Sequence, residues 1–319
     1  MPTPLAPLTT LRLGGPALVL VECTSPEQLV DEALAGGFLL AGGSNVVLPD
    51  AGLDRVVLVR TRGIDGLTVQ AGEDWDGFVA WSLAQGLSGL EALSGIPGTV
   101  GAAPIQNIGA YGAEVASFVD SVQVLDLRTG AVVTMTAPEC TFGYRTSRFK
   151  ASARFVVLSV TFALDRGELS EPVRYAELAS ALGVALGERA PCADVREAVL
   201  TLRRSKGMVL DPTDPDSVSA GSFFTNPVVP VAPEGAPSWA DPSAGVKVSA
   251  AWLIEHSGFA KGWGTGRIGL STKHTLALVN RGGGTTDELL AVAREIRSGV
   301  LDRFGITLVN EPVIVNGQL

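Results

Sequence analysis

Residues 96–112, IPGTVGAAPIQNIGAYG, constrain the fold more than any other segment of this chain. Glycine, proline and alanine fill nine of its seventeen positions. An ordinary helix and a central strand are both disfavoured, because glycine and proline weaken helices and proline cannot donate to a sheet ladder. Small residues let the backbone approach a partner closely, with N–H groups free to point at it. With polar Gln106 and Asn107, the segment predicts contact with a flat heteroaromatic ring or a diphosphate; a tightly packed loop without a ligand is the alternative.

Composition excludes several classes of function. The chain has 319 residues and a net charge of −9, which argues against nucleic acid or an anionic membrane as the main partner. No apolar run approaches the roughly 18 residues of a membrane span, and the N-terminus lacks the basic start of a secretory signal. Three scattered cysteines and two histidines give no metal-ligand spacing. We therefore expect a soluble, cytoplasmic protein without a metal site.

The first 60 residues indicate a small α/β unit. Residues 19–25 read as a strand, and Ser25 with Gln28 predicts a capping box at the start of a helix that ends at Gly36 and Gly37. AGGSN, residues 41–45, then predicts a tight loop between two apolar strands, whose successive N–H groups form an anion nest. Because a strand rather than a helix follows it, a Rossmann dinucleotide site is disfavoured.

Later segments predict further elements of both kinds. Residues 75–85 read as a helix, residues 121–127 and 131–136 as a hairpin, and residues 153–164 as a long strand. Thr285 and Glu288 predict a capping box on a helix that Gly305 ends, followed by a strand over residues 306–309. Two basic clusters, residues 145–150 and 203–206, are expected to be solvated surface.

Four other short patterns accompany the glycine-rich stretch. These are AGGSN, FGYR (residues 142–145), AGSFFTNP (residues 220–227) and Glu311-Pro312. In this order and at these separations, they resemble the UDP-N-acetylenolpyruvoylglucosamine reductase family, over residues 9–315. The pairing of IPGTVGAAPIQNIGAYG with AGSFFTNP is the most specific part of the resemblance. Position 41 departs slightly from it, because Ala41 stands where glycine is commoner.

The resemblance implies an α+β fold with three domains. Residues 1–62 and 63–172 are the two parts of an FAD-binding domain of the vanillyl-alcohol-oxidase type. A C-terminal strand, residues 306–319, returns near the flavin, and residues 173–305 form an α+β substrate-binding domain. The resemblance also implies that FAD is bound non-covalently, and the absence of a cysteine or histidine anchor in the predicted flavin loops is consistent with this.

The implied activity is the NADPH-dependent reduction of UDP-N-acetylglucosamine enolpyruvate to UDP-N-acetylmuramate in peptidoglycan synthesis. Arg145 is implied to stabilise the developing enolate, Ser222 to donate the proton, and Glu311 to assist. Considered singly, each has an ordinary alternative: a solvated arginine, a turn hydroxyl and a surface glutamate. NADPH and the UDP-sugar are expected to share one site on a monomer.

The resemblance also implies binding residues. For the flavin they are Gly42, Gly43, Ser44, Asn45, Gly101, Ala102, Gln106, Gly109 and Ala110. For the substrate they are Tyr111, Tyr175, Lys206, Asn226 and Lys247. Tyr175 matches a tyrosine on a loop that closes over the UDP end in one of the family's two subtypes. His274 stands where some relatives carry glutamine, so no contact is assigned to it.

Two rival functions come from other classes. A flavin-dependent oxidase of small alcohols needs a base for the alcohol, whereas a serine proton donor with an Arg–Glu pair points to reduction. A non-catalytic nucleotide-binding module predicts binding without turnover. An assay of the enolpyruvyl substrate with NADPH separates the reductase from the oxidase, and a binding module predicts that Ser222→Ala leaves every measurable property intact.

Overall fold

The structure, a computed structural model, describes residues 1–150, 152–241 and 245–319. The chain forms two compact units. The central unit consists of Val19–Gly42 and Asp54–Arg204, and the terminal unit consists of Met1–Leu18, Gly43–Leu53 and Ser205–Leu319. The division into three domains, with boundaries at residues 62 and 172, stays a prediction.

The chain contains both helices and strands. The α-helices of the described residues are α1 Pro26–Leu34, α2 Trp75–Ala84, α3 Ala176–Leu182, α4 Cys192–Ser205, α5 Ala250–His256 and α6 Thr286–Phe304. The strands are β1 Thr3–Pro4, β2 Pro16–Cys23, β3 Phe38–Leu40, β4 Val46–Val47, β5 Leu53–Val59, β6 Ile64–Asp65, β7 Thr68–Gln70, β8 Leu87–Ser88, β9 Gly109–Ala110, β10 Ala113–Glu114, β11 Val119–Asp126, β12 Ala131–Thr136, β13 Phe155–Phe162, β14 Asp165–Arg166, β15 Ser219–Ser222, β16 Val228–Val229, β17 Ser238–Asp241, β18 Gly245–Val248, β19 Ile268–Leu270, β20 Ala277–Asn280 and β21 Val313–Ile314.

The central unit is built on an antiparallel sheet of five strands in the order β12-β11-β13-β7-β6. The predicted hairpin is confirmed as β11 and β12, with Asp126 opposite Ala131. Strands β2, β5 and β3 form a second sheet, in which β3 runs parallel to β5. Trp75 and Phe78 of α2 are buried among the valines and leucines of β11 and β13, which gives this unit its main apolar core.

The terminal unit has a separate apolar core. It contains three small sheets, in the orders β15-β20-β19, β16-β18-β17 and β21-β4. Strand β21 runs parallel to β4, with Val313 opposite Val46. Phe223 and Phe224, each 1% exposed, pack in a core that also holds the inner faces of α5 and α6. The two aromatic rings anchor the segment that follows β15.

Two details of the sequence-based elements are wrong. Ser25 caps α1 by accepting from the N–H of Gln28 (3.2 Å), but the Gln28 side chain accepts from Thr24 instead of completing a box with Ser25. Residues 306–309 form no strand. The strand forms later, at Val313–Ile314, because that is where the backbone pairs with β4.

The predicted capping box on α6 is confirmed. Thr285 accepts from the N–H of Glu288 (3.2 Å), and the Glu288 carboxylate accepts from the N–H of Thr285 (2.9 Å). Asp50 accepts from the next two N–H groups, those of Thr286 (2.9 Å) and Asp287 (3.0 Å). All four N–H groups at the start of α6 therefore have acceptors before the helix ladder begins.

We expect Thr285→Ala to lower the free energy of unfolding by about 1 kcal/mol, because the N–H of Glu288 loses the Thr285 hydroxyl as its acceptor. Urea titration followed by circular dichroism measures this. Thr285→Ser retains the hydroxyl and serves as the control, so equal losses in both variants would contradict a capping role.

An ion pair joins α2 to α4 within the central unit. Arg196 donates from both terminal nitrogens to the carboxylate of Asp76, at 2.6 and 2.8 Å, and the N–H of Gly95 donates to it at 2.6 Å. Burial by itself raises the pKa of Asp76, but the hydrogen bonds from Arg196 and Gly95 outweigh it and lower the pKa below its usual value.

A carboxyl group with a lowered pKa stabilises the fold above its unfolded pKa of about 3.9, and this contribution disappears as the pH falls through the folded pKa. Asp76→Asn should therefore unfold at lower urea concentration than wild type at pH 7. The difference should begin to shrink below about pH 4, where Asp76 of the unfolded chain takes up a proton, and it should disappear once the pH is below the lowered pKa of the folded state. A difference that is independent of pH would show that the charge of Asp76 does not matter.

Candidate active site

Part of the glycine-rich stretch is required by internal packing. Gly101 lies in a single 3-10 turn, Val100–Ala102, and its N–H donates to the carbonyl of Ala71 (2.9 Å). A Cβ atom at Gly101 would lie 2.4 Å from the Cβ of Ala71, which is far inside contact distance. At Gly101, the structure therefore shows the tightly packed loop that was considered as the alternative. This packing is independent of any ligand that the stretch binds.

The AGGSN loop also depends on close backbone approach. In the central unit, a Cβ atom at Gly42 would lie 2.6 Å from the Cα of Gly98. In the terminal unit, Gly43 has a φ of +64°, and a Cβ atom there would lie 2.0 Å from the carbonyl oxygen of Leu8. Neither glycine therefore tolerates a side chain without movement of the main chain.

Backbone donors of this loop are available to a ligand. Within residues 1–150, 152–241 and 245–319, the N–H groups of Gly42, Gly43 and Ser44 donate to no protein acceptor. Free N–H groups of this kind suit a phosphate or diphosphate, and the anion nest at this loop stays a prediction.

Two buried hydroxyl groups that the sequence does not single out belong to residues whose main chain lies near these glycines. The N–H of Thr99 lies near Gly42 in the central unit, and the N–H of Thr10 donates to the carbonyl of Gly43 (3.1 Å) in the terminal unit. Thr99 Oγ1 and Thr10 Oγ1 have no hydrogen-bond partner among the described residues. A buried polar atom left without a partner costs about 1–3 kcal/mol. Both hydroxyls are therefore candidates to bind a polar ligand; Thr99 lies in the glycine-rich stretch, whereas nothing in the sequence marks Thr10.

Arg145 is half-buried in the central unit and is held by backbone carbonyls. Its Nη2 donates to the carbonyl of Gly109 (2.7 Å), and its Nη1 lies 3.5 Å from the carbonyl of Asn107. A Cβ atom at Gly109 would lie 3.0 Å from Nη1, so glycine leaves room for the guanidinium. Asn107, expected with Gln106 to face a ligand, instead uses its side-chain amide for hydrogen bonds within the protein.

The basic cluster at residues 203–206 is only partly solvated. Arg203 is 9% exposed, contrary to the expectation for the cluster, whereas Arg204 is exposed. Burial lowers the pKa of Arg203 to about 10, so it stays cationic at neutral pH. The sequence of adjacent basic residues does not show which side chain points into the protein. Arg203 is buried because it lies on the inward face of α4.

Tyr111 lies close to Arg203 and packs edge-on against Tyr175, with ring centroids 5.5 Å apart. Burial raises the pKa of Tyr111 to about 12, and it therefore stays a neutral hydrogen-bonding phenol at neutral pH. Tyr175 is 43% exposed. The structure thus brings together the two tyrosines that are predicted to bind the substrate.

Ser222 and Glu311 lie on adjacent segments of the terminal unit. Ser222 ends β15, and the N–H of Glu311 donates to the carbonyl of Phe223, the next residue, at 2.8 Å. The N–H of Thr225 donates to the carbonyl of Val309 (3.0 Å), so the pairing continues along both segments.

The AGGSN loop reaches the same part of the terminal unit. The carbonyl of Asn45 accepts from the N–H of Val313 (3.0 Å), two residues after Glu311. Four segments that are far apart in sequence, around Ser44, Ser222, Ala277 and Glu311, are therefore joined by main-chain hydrogen bonds in this unit.

The other predicted substrate residues have these positions. Asn226 Oδ1 accepts from the N–H of Ala250 (2.9 Å) at the start of α5, and Lys247 on β18 pairs with Asp241 (3.5 Å). Lys206 follows α4 and is half-buried. The N–H of His274 donates to Ser271 in a turn before β20.

Comparisons with known proteins identify the class first. The family model of the FAD binding domain matches residues 19–136, and the model described as "UDP-N-acetylenolpyruvoylglucosamine reductase, C-terminal domain" matches residues 212–315. The protein is thus an FAD-binding protein with an α+β fold, as the sequence predicts. Among the described residues, none of the helices has both the length and the apolar character to cross a membrane.

Relatives then identify the family. The chain is 51% identical to UDP-N-acetylenolpyruvoylglucosamine reductase of Thermobifida fusca, over 99% of this chain and 98% of the relative. It is 53% identical to the enzyme of that name from Salinispora arenicola, over 98% and 94%. The crystal structure of UDP-N-acetylenolpyruvylglucosamine reductase from Thermus caldophilus matches with a TM-score of 0.71 and 26% identity, over 98% of both chains. The chain belongs to the UDP-N-acetylenolpyruvoylglucosamine reductase family, which confirms the predicted resemblance.

Gly43→Ala should destabilise the protein more than Gly66→Ala. Both glycines have a left-handed φ, +64° and +58°, but a Cβ atom at Gly66 meets nothing within 4 Å. Gly66→Ala should therefore lower the free energy of unfolding by about 1–2 kcal/mol, the cost of a left-handed backbone conformation for a residue with a side chain. Gly43→Ala adds the clash with Leu8, and it should also reduce the flavin retained on purification. Urea titration and the ratio of flavin to protein absorbance measure both effects; equal behaviour of the two variants would contradict this account.

Proposed function

We propose that the protein reduces UDP-N-acetylglucosamine enolpyruvate to UDP-N-acetylmuramate for peptidoglycan synthesis, with FAD as its non-covalent cofactor and NADPH as the source of hydride. The observation that supports the proposal is the main-chain hydrogen bond from the N–H of Glu311 to the carbonyl of Phe223, the residue after Ser222, because two of the three proposed catalytic residues thus belong to adjacent segments. The similarity of nearly the whole chain to proteins named as these reductases supports the proposed substrate and cofactor.

For FAD, the proposed ligands are the loop residues and the glycine-rich stretch. The free N–H groups of Gly42, Gly43 and Ser44 suit the diphosphate, and the Thr10 and Thr99 hydroxyls suit polar atoms of the cofactor. The other proposed flavin contacts are Asn45, Gly101, Ala102, Gln106, Gly109 and Ala110. Bound FAD would supply the redox chemistry, the transfer of hydride from NADPH to the vinyl carbon of the substrate.

Arg145 stabilises the charge that develops on the substrate. Addition of hydride to the vinyl carbon leaves the electron pair on the adjacent carbon, where the carboxylate delocalises it as an enolate. A guanidinium fork matches such a carboxylate-derived anion better than an ammonium does. The carbonyl of Gly109 fixes one arm of the fork, which reduces the freedom that Arg145 must lose on binding.

Ser222 completes the reaction by protonating the same carbon. A serine hydroxyl is a weak acid, but an enolate carbon is basic enough to accept its proton once the geometry is fixed. The serine then regains a proton from solvent. Glu311, on the adjacent segment, assists Arg145 at the enolate or orients a water molecule there.

For the substrate, we propose contacts from five residues: Tyr111, Tyr175, Lys206, Asn226 and Lys247. The neutral Tyr111 phenol is suited to a hydrogen bond with the sugar or diphosphate, and the exposed Tyr175 beside it is suited to closing over the UDP end. NADPH and the UDP-sugar occupy one site in turn, on a monomer in the cytoplasm, and residues 173–305 act as the substrate domain.

The two half-reactions test the proposal. Stopped-flow absorbance should show NADPH bleaching the bound flavin, and the enolpyruvyl substrate should restore its colour in wild type. Ser222→Ala should leave the first step intact and slow the second by about 10²–10⁴-fold, because the positioned acid is lost. The control is Thr225→Val, which removes a nearby hydroxyl that donates to the carbonyl of Val309 (3.3 Å).

Two results would contradict specific parts of the proposal. A wild-type protein that binds the enolpyruvyl substrate without reoxidising its flavin is not this reductase. Equal slowing of both half-reactions by Ser222→Ala would remove Ser222 as the proton donor while leaving the overall activity standing.

A further inference from the structure

Asn107 joins two parts of the central unit that flank Arg145. Its side chain is 1% exposed, and Nδ2 donates both to Glu114 Oε2 (2.8 Å) and to the carbonyl of Gly143 (3.0 Å). Its Oδ1 accepts from the N–H of Ala116 (3.0 Å). The amide thus uses both kinds of hydrogen-bonding group, which an isosteric leucine or a carboxylate does not supply.

Gly143 is the base of the turn that carries Arg145. Gly143 and Thr146 exchange main-chain hydrogen bonds (3.0 and 3.2 Å), which leaves Tyr144 and Arg145 at the tip. Arg145 has a φ of +53°, a left-handed conformation that costs energy for a non-glycine residue. The turn therefore needs support from its surroundings, and Asn107 supplies one hydrogen bond at its base.

The guanidinium of Arg145 returns to the segment that begins at Asn107. It donates to the carbonyl of Gly109 and approaches the carbonyl of Asn107 itself. Asn107 therefore connects to both ends of Arg145: its amide holds the base of the turn, and its own main chain lies under the charged group. A shift of the Arg145 turn relative to the 107–109 backbone would therefore displace the guanidinium from the carbonyls that hold it.

We propose that Asn107 is a positioning residue for the second half-reaction, which acts by fixing the distance between the Arg145 turn and the 107–109 backbone. This inference rests on the proposed function, because it needs Arg145 to act at the enolate. Asn107 touches Arg145 and its supports. Its amide is occupied within the protein and is not required to contact the flavin or the substrate.

Asn107→Gly is the primary test, because glycine tolerates the φ of +48° and removes only the side chain. We expect NADPH to reduce the flavin of this variant at the wild-type rate. Reoxidation by the enolpyruvyl substrate should slow by about 10²-fold, the effect of misplacing a reacting group by about 1 Å. Asn316→Gly is the matched control: Asn316 also has a left-handed φ, +54°, but is exposed.

A second background separates positioning from general damage. In protein that already carries Arg145→Ala, adding Asn107→Gly should slow reoxidation no further, because the group that it positions is absent. The inference would be overturned if the double variant were slowed by the product of the two single-variant losses. Equal slowing of both half-reactions by Asn107→Gly would also overturn it. If wild type itself does not reoxidise with the enolpyruvyl substrate, the proposed function fails, and the inference fails with it.

Rescue provides a test that does not depend on the stability of the glycine variant. Asn107→Asp places a carboxylate against Glu114, and adding Glu114→Gln restores a donor between the two side chains. The double variant should regain thermal stability and flavin content, but it should remain slow in reoxidation, because the carbonyl of Gly143 still lacks its side-chain donor. Full recovery of the reoxidation rate would show that the Gly143 contact is irrelevant and would overturn the inference.

Discussion

Close approach of one stretch of backbone to another is the constraint on which the candidate site depends. At Gly42, Gly43 and Gly101, an added Cβ atom would lie between 2.0 and 2.6 Å from its nearest neighbour. Main-chain atoms and a short alanine side chain are the obstacles there, so no rotamer change relieves the clash. In this loop of small residues, the N–H groups of residues 42–44 donate to no acceptor in the described part of the chain, and groups of this kind suit the proposed diphosphate.

Each unit assembles its part of the proposed chemistry from distant segments of sequence. In the terminal unit, main-chain hydrogen bonds join the residues after Ser222 to the segment of Glu311, and the Phe223–Phe224 pair anchors them in the apolar core. In the central unit, the carbonyl of Gly109 and the amide of Asn107 hold Arg145 and its turn. The proposed catalytic groups thus sit on rigid main-chain supports, which is what precise orientation of an acid and a cation requires.

Local signals predicted local structure well. The capping box at Thr285, the hairpin around Gly130 and the irregular course of residues 96–112 all follow from interactions within a few residues. The short strand at the C-terminus was misplaced, because β21 exists only through its pairing with β4, more than 260 residues earlier in the chain. The expectation that Asn107 faces a ligand was wrong for a similar reason. The sequence shows that Asn107 is polar, but it does not show that Glu114 and Gly143 are its hydrogen-bond partners.

The sequence by itself therefore determined the family and the α+β class, because glycine spacing and short polar motifs are properties of the chain. The resemblance carried by those motifs also named the candidate catalytic residues, whose roles stay a proposal. The tertiary structure decided which of these groups are available. It directed Arg203 inward and left Arg204 outside, turned the Asn107 amide onto the protein, and left Thr10 and Thr99 buried without a described protein partner. Burial and hydrogen bonding depend on neighbours contributed by remote segments, and no local pattern specifies those neighbours.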